Sequence, residues 1–211
     1  MLKSRQESDN MIAIYAGSFN PLTLAHMDVV EKVLNVDGVE KVILLPLSDG
    51  YAKEDLAPAW DRYELLKECY KNDRGVKISS FDIRSGKQLT TIEYMDVFAE
   101  IFDEDVAFVM GADNLMDFSN WNDADKLLEK YHHIVLNRDN ADLEKIIEDS
   151  ELMRNYRDKF LLIKEGVRVQ YSNISATRVR GCIRDEYYTE LDQLVCKEAK
   201  EYILKKKMYR G

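Results

Sequence analysis

The sequence predicts an α/β fold: a doubly wound parallel sheet, Rossmann-like in plan, with a small helical addition at its C-terminal end. Three observations predict it. Short apolar runs rich in β-branched residues read as buried strands, longer stretches show helical spacing, and the two kinds alternate along the chain. Alternation of this kind implies parallel pairing through right-handed crossovers, with helices on both faces of the sheet. Ligands of such sheets sit outside the carboxyl ends of the strands, where the strand order reverses, so sequences just after a strand carry the most information.

The strand-like runs are Ile12 to Ala16, Lys41 to Leu45, Val76 to Ser80, Val106 to Met110 and Ile134 to Leu136. Helical spacing marks Leu24 to Leu34, Trp60 to Tyr70, Asp123 to Lys130 and Asp142 to Asn155. In TTIEYMDVFAEIF, residues Ile92, Met95, Phe98, Ala99 and Phe102 fall on one helical face. Val167 to Tyr171 reads as a further strand, and the helix formers from Ser175 to Tyr202 as two short helices beside the sheet. Lys205, Lys206 and Lys207 form a basic helix end that complements the macrodipole. The prolines, Pro21, Pro46 and Pro58, all fall in predicted loops.

Composition narrows the function classes. The 211 residues are 45% hydrophobic and 33% charged, apolar enough for a core that can hold a pocket. A net charge of -9 argues against a nucleic-acid partner, yet a few cations can still focus positive potential inside a cleft. Cys69, Cys182 and Cys196 are scattered and form no CxxC pair, which reads as reduced thiols in a cytoplasmic protein. The first ten residues are polar, and the apolar run after them ends at Gly17, too short for a signal segment or a membrane span. No membrane partner is expected. The last helices could pair copies of the chain into a homo-oligomer.

The first strand runs into AGSFNPLTLAHMDVVEKVL. Gly17 and Ser18 allow a tight turn, Asn20-Pro21 is a turn pair, and Thr23 is a good N-cap for the next helix. His26 lies three residues on, on the same face. A hydroxyl, an imidazole and unpaired amides at a helix N-terminus suit a phosphate. Near the other end, NISATRVR places Ser175 at a helix start, with Thr177 and the Arg180 guanidinium fork behind it. After the fourth run, FVMGADNLMDFSNW offers the Asp113 carboxylate for ribose hydroxyls and the Trp121 face for a flat ring.

GSFNPLTLAH resembles the (H/T)xGH signature of the nucleotidylyltransferase superfamily, with Thr23 at the first position, Ala25 in place of the glycine and His26 at the last. NISATRVR resembles that superfamily's ISxTxxR element, and GADNLMDFSNW the GxDxLxxFxxW stretch of nicotinate (nicotinamide) mononucleotide adenylyltransferases. The resemblance implies an enzyme that joins ATP to a mononucleotide acceptor, nicotinate mononucleotide in this branch, with Mg²⁺ carried by the ATP and no metal site built by the protein. It implies catalytic roles for His26, Thr23 and Arg180. Nucleotide-binding roles fall to Gly17, Ser18, Phe19, Gly111, Asp113, Ser175 and Thr177, and acceptor-binding roles to Lys53, Thr90, Trp121 and Arg138. Lys53 would stand for the lysine of the family's PPHK loop, which is otherwise missing, and Arg138 for an arginine after the fifth strand. His132 and His133 read as structural.

The resemblance spans residues 12 to about 184, and YILKKKMYRG is similar to the family's C-terminal tail. It implies a polar tail over residues 1–10 and one nucleotidylyltransferase domain over 11–211, its helical part starting near 172. Two alternatives stand beside it: the same chemistry on nicotinamide mononucleotide or phosphopantetheine, and a nucleotide-binding regulator without turnover. A redox dinucleotide fold is disfavoured, since no GxGxxG follows the first strand.

Overall fold

The computed structural model describes residues 10–50, 55–102, 104–137 and 141–210. Six strands are formed: β1 (Met11–Gly17), β2 (Val39–Pro46), β3 (Val76–Ile78), β4 (Asp105–Gly111), β5 (His132–Leu136) and β6 (Phe160–Ile163). They make one sheet in the order β3-β2-β1-β4-β5-β6, every pairing parallel. The helices are α1 (Leu24–Leu34), α2 (Ala59–Tyr70), α3 (Phe81–Arg84), α4 (Thr91–Ile101), α5 (Ala112–Asp117), α6 (Ala124–Lys130), α7 (Leu143–Asp149), α8 (Glu151–Arg154), α9 (Ala176–Arg184) and α10 (Lys197–Lys206). Among the described residues no helix is long and apolar enough to cross a membrane.

Strand side chains alternate between two cores, as the period of a pleated strand requires. Ala13, Val42, Leu44, Ala107, Val109 and Ile134 meet α1, α2, α9 and α10 through Val30, Val33, Leu65, Val179 and Ile203. Ile12, Ile14, Ile43, Leu45, Phe108 and Val135 meet the other helices through Met95, Leu115, Leu127 and Ile147. The sheet is therefore buried on both faces, which is why its strands read as continuous apolar runs. β1 lies at the centre, and the chain adds strands first on one side of it and then on the other. That reversal puts the switch point between β1 and β4.

Several sequence expectations are corrected. The sixth strand is Phe160–Ile163, whereas Val167 to Tyr171 leaves the sheet and ends in a 3-10 turn over Val169–Tyr171. The alternation in VRVQY is not strand pairing. Val169 is 90% exposed, and the Arg168 amide bonds the Asp28 carboxylate (2.9 Å) instead of a ladder carbonyl. The predicted helix from Asp142 to Asn155 breaks at Ser150, whose hydroxyl accepts from the Met153 amide (3.3 Å) and starts a new helix. β3 stops at Ile78, and Pro46 is the last residue of β2 rather than part of a loop.

His133 is fully buried, ringed by Phe118 and Phe160 with ring centres 5.2 and 5.4 Å away. Burial pushes its imidazole down to about 4, against the opposing bond to the Leu127 carbonyl. In the unfolded chain the ring titrates near its ordinary 6.5, so the native state is favoured above that pH and loses the advantage as pH falls towards 4. Replacing His133 by Phe removes the titration. Urea unfolding at several pH values should show the variant gaining roughly 3 kcal/mol on the wild type between about pH 7 and pH 4. A difference that does not change with pH would contradict the buried neutral ring.

Candidate active site

α1 begins with Thr23 as N-cap in extended conformation, the hydroxyl accepting from the His26 amide (3.4 Å). The residue three positions on completes a capping box, a place where Glu or Gln is usual and His26 stands here. The Thr23 amide donates to His26 Nδ1 (3.1 Å), and the Thr23 hydroxyl lies 2.9 Å from the same nitrogen. An accepting Nδ1 leaves the ring proton on Nε2. The edge of Phe19, with ring centres 5.5 Å apart, fixes the imidazole from the side. Backbone, hydroxyl and ring contacts thus orient the imidazole at the start of α1.

The amides of α1 itself are less available than the sequence suggests. Leu24 N–H donates to the Leu194 carbonyl (2.9 Å), that of His26 to the cap, and that of Met27 to Thr23 O (3.1 Å). The expected set of unpaired amides is corrected to one dominated by the imidazole, because the C-terminal segment supplies a carbonyl to the first turn.

The loop before α1 is held from three directions. Phe19 sits at φ 41, in the left-handed region, and its ring covers Gly17, where a Cβ would come within 3.3 Å of it. The Asn20 side chain donates to Asp55 O (2.8 Å) and accepts from the Ala57 amide (3.0 Å). Asn20-Pro21 is cis. From α9, Arg180 Nη1 donates to Asn20 O (2.9 Å), while its Nη2 donates to the Thr177 hydroxyl (3.3 Å). Ser175 caps α9 by accepting from the Arg178 amide (3.1 Å). The two motifs, 160 residues apart at this contact, meet directly.

Charge at the helix starts separates these two helices from the rest. Every other described helix carries an Asp or Glu in its first turn, as with Asp61, Glu93 and Glu198. α1 and α9 carry none. An acid there normally offsets the positive helix end, so these two ends have no first-turn carboxylate of their own to repel an anion.

β1 and β4 pair with Ile14 opposite Phe108, so Gly17 and Gly111 leave the sheet at the same edge. Gly111 is the N-cap of α5, and a Cβ on it would stand 2.7 Å from Asp113 Oδ1. The glycine makes room for that carboxylate to fold back over the strand end. Asp113 occupies the first turn of α5 instead of its N-cap. Trp121 is half-buried against Phe118 and Phe108, with ring centres 5.2 and 6.0 Å away. Thr90 is exposed and caps α4, accepting from the Glu93 amide (3.4 Å). Lys53 and Arg138 lie outside the described residues.

A profile of the cytidylyltransferase-like family matches residues 14–181. The chain belongs to that family. It is 32% identical to a probable nicotinate-nucleotide adenylyltransferase of Caldicellulosiruptor bescii, over 94% of this chain and 98% of that relative. It is 30% identical to a protein of the same name from Fusobacterium nucleatum, over 92% of this chain and 97% of that one. The fold is similar to that of the nicotinic acid mononucleotide adenylyltransferase of Plasmodium falciparum complexed with NaAD, with a TM-score of 0.79 at 20% identity, covering 95% and 97% of the two chains. Family membership makes this a nucleotidyltransferase enzyme of the Rossmann-like type.

One residue of this cytidylyltransferase-like site was missed in the sequence. Arg62 on α2 is 0% exposed and binds four oxygens: Ser18 O after β1 (2.7 Å), Leu47 O after β2 (2.6 Å), Ala57 O (2.8 Å) and Asp49 Oδ1 (3.0 Å). The signal was present, since Arg62, Leu65, Leu66, Cys69 and Tyr70 share a helical stripe that puts a cation on the core face. Nearby, buried Asp82 accepts from the Ser48 amide (2.6 Å) and fixes the same loop from the other side. Arg62→Lys keeps the charge and loses the fork, stranding buried carbonyls. The variant should unfold at a temperature lower by several degrees and lose about tenfold or more in kcat/KM for nucleotide. Wild-type kinetics in a folded Arg62→Lys protein would show that the clasp does not shape the site.

Proposed function

We propose that the chain transfers AMP from ATP to nicotinate mononucleotide, releasing pyrophosphate and forming deamido-NAD, a step of NAD biosynthesis. The observation that carries this is the meeting of α1 and α9, two helix starts without acids, through Arg180 and the Asn20 carbonyl. Such a corner suits a polyanion that spans both helices, as a triphosphate does. The proteins whose names give the acceptor, those of Caldicellulosiruptor bescii and Fusobacterium nucleatum, align with nearly the whole chain.

In this reading the acceptor's phosphate oxygen attacks the α-phosphorus of ATP in line, and pyrophosphate departs. Little covalent work falls to the protein, and placement with charge neutralisation dominates. His26 Nε2–H donates to an α-phosphoryl oxygen, where charge builds as the new bond forms. Thr23, 1% exposed, acts through the ring it holds and does not itself touch phosphate. Arg180, Thr177 and Ser175 hold the outer phosphates, Gly17, Ser18 and Phe19 shape the loop beneath them, and Gly111 with Asp113 meets the nucleoside side. Thr90 and Trp121 face the acceptor, joined by Lys53 and Arg138. Among the described residues no group of three or more His, Cys, Asp or Glu side chains is placed to hold a metal. A magnesium ion bound by the nucleotide's phosphates and water would neutralise charge on the departing pyrophosphate.

His26→Ala should lower kcat on the order of 100-fold while the protein still folds, its unfolding temperature lowered by only a few degrees by the lost capping bond. Thr23→Val should lower kcat by about tenfold, and Thr23→Ser should restore most of it, because the serine hydroxyl can still cap and orient the ring. Equal kcat in all three variants would remove the imidazole from the mechanism.

The acceptor is tested by pyrophosphate release with ATP and either nicotinate or nicotinamide mononucleotide. The expected result is a kcat/KM at least tenfold higher with the nicotinate form, the margin of about 1.4 kcal/mol that one good ionic contact supplies. A preference for the nicotinamide form, or nucleotide binding without turnover of either, would overturn the assignment.

A further inference from the structure

Cys69 and Cys196 are 127 residues apart in sequence, yet their sulfurs lie 3.2 Å from each other. Neither takes part in the chemistry above, and both are free thiols and half-buried. Cys69 is the penultimate residue of α2, and Cys196 is the N-cap of α10. The other end of the same helix pair is tied by Tyr202 and Lys206 to Asp61 (3.4 and 3.5 Å). A cavity of about 410 Å³ opens beside the pair, lined by Cys69 with Met27, Tyr70, Arg74 and Glu198. Among the described residues no third ligand joins the two sulfurs to make a metal cluster. Closing a disulfide, with sulfurs about 2.05 Å apart, needs a movement of only roughly 1 Å.

We propose that Cys69 and Cys196 form a dithiol modification site that reacts with small-molecule disulfides and closes into an intramolecular disulfide joining α2 to α10. The two thiols differ. The hydrogen bond shared with Cys69, helped by the Ala199 amide at the start of α10, holds the Cys196 thiol below its usual range. Hydrogen bonding to Cys196, then burial, pushes the Cys69 thiol up. Cys196 also stands at the N-cap of α10, where the positive helix end favours a thiolate, which makes it the first nucleophile. Its thiolate attacks one sulfur of the reagent, the reagent's S–S bond breaks, and one thiolate leaves and takes up a proton. Capping Cys196 removes the interaction that most held the Cys69 proton. Cys69 then releases that proton, attacks the Cys196 sulfur of the mixed disulfide and expels the second thiol. Two protein thiols are oxidised, one reagent disulfide is reduced, and the two protons end on the two departing thiols.

The bond would fix the segment whose Leu194 carbonyl holds the first amide of α1. Because it closes a loop of more than a hundred residues, it should constrain the unfolded chain strongly.

The test uses the full-length reduced protein and glutathione disulfide. Thiol titration should fall from three cysteines to one, peptide mapping should join the Cys69 and Cys196 peptides, and the unfolding midpoint should rise by several degrees, reversibly with dithiothreitol. Cys69→Ser should accumulate a stable glutathione adduct on Cys196, whereas Cys196→Ser should leave Cys69 reacting at least about tenfold more slowly. Three titratable thiols remaining in the wild type, separate adducts on both cysteines, or a pairing that includes Cys182 would each overturn the proposal. The wild-type mapping decides the matter even if a serine variant fails to fold. Equal adduct rates in the two variants would overturn the assignment of Cys196 as first nucleophile.

Discussion

A parallel sheet that grows in both directions from one central strand must part its crossover connections at that strand. Here the chain winds from β1 through β2 to β3, returns across the sheet to β4, and continues to β6. The connections leaving β1 and β4 therefore diverge to opposite faces, and a crevice opens between their carboxyl ends. The rest of the site exploits that gap. Gly17 and Gly111 border it, α1 and α5 start from it, and the late helix α9 approaches it from the α1 side.

A crevice alone does not hold a loop in an unfavourable conformation. Phe19 in the left-handed region persists because neighbouring groups over-determine it. Arg62 is central to this, since one buried guanidinium satisfies carbonyls from three separate stretches of chain and shares its charge with Asp49. An unpaired buried cation would be costly, and the dense set of acceptors is what makes it tolerable. A fully buried cation that holds three backbone carbonyls and the Asp49 carboxylate is also unavailable to a ligand. The division of labour is then clear: Arg62 shapes the loop, and Arg180 stands at its edge.

Much of this was legible in the residues. Continuous β-branched runs located five strands, and the N-cap pattern at Thr23 and Ser175 located two helix starts, because both signals are local. The sixth strand escaped, as FLLI is only four residues long and follows a 3-10 turn, while VRVQY beside it imitates a strand. The pairing of Leu24 N–H with Leu194 O was hidden for another reason: backbone carbonyls carry no sequence label. Arg62 was readable from its helical stripe, but its four acceptors depend on loops that only the tertiary fold assembles. The cysteines make the same point, being distant in sequence and touching in space.

The start of α1 is completed by residues from far down the chain. Leu24 is bound by Leu194, Asp28 by Arg168 through its amide and by an ion pair (2.9 Å), and Asn20 by Arg180. During synthesis the first strand and helix emerge early, but their partners follow 140 or more residues later. A growing chain therefore holds the loop before α1 untied until those later residues have been added. A polypeptide released before those residues are made would carry the whole first signature without the contacts that hold its loop in place.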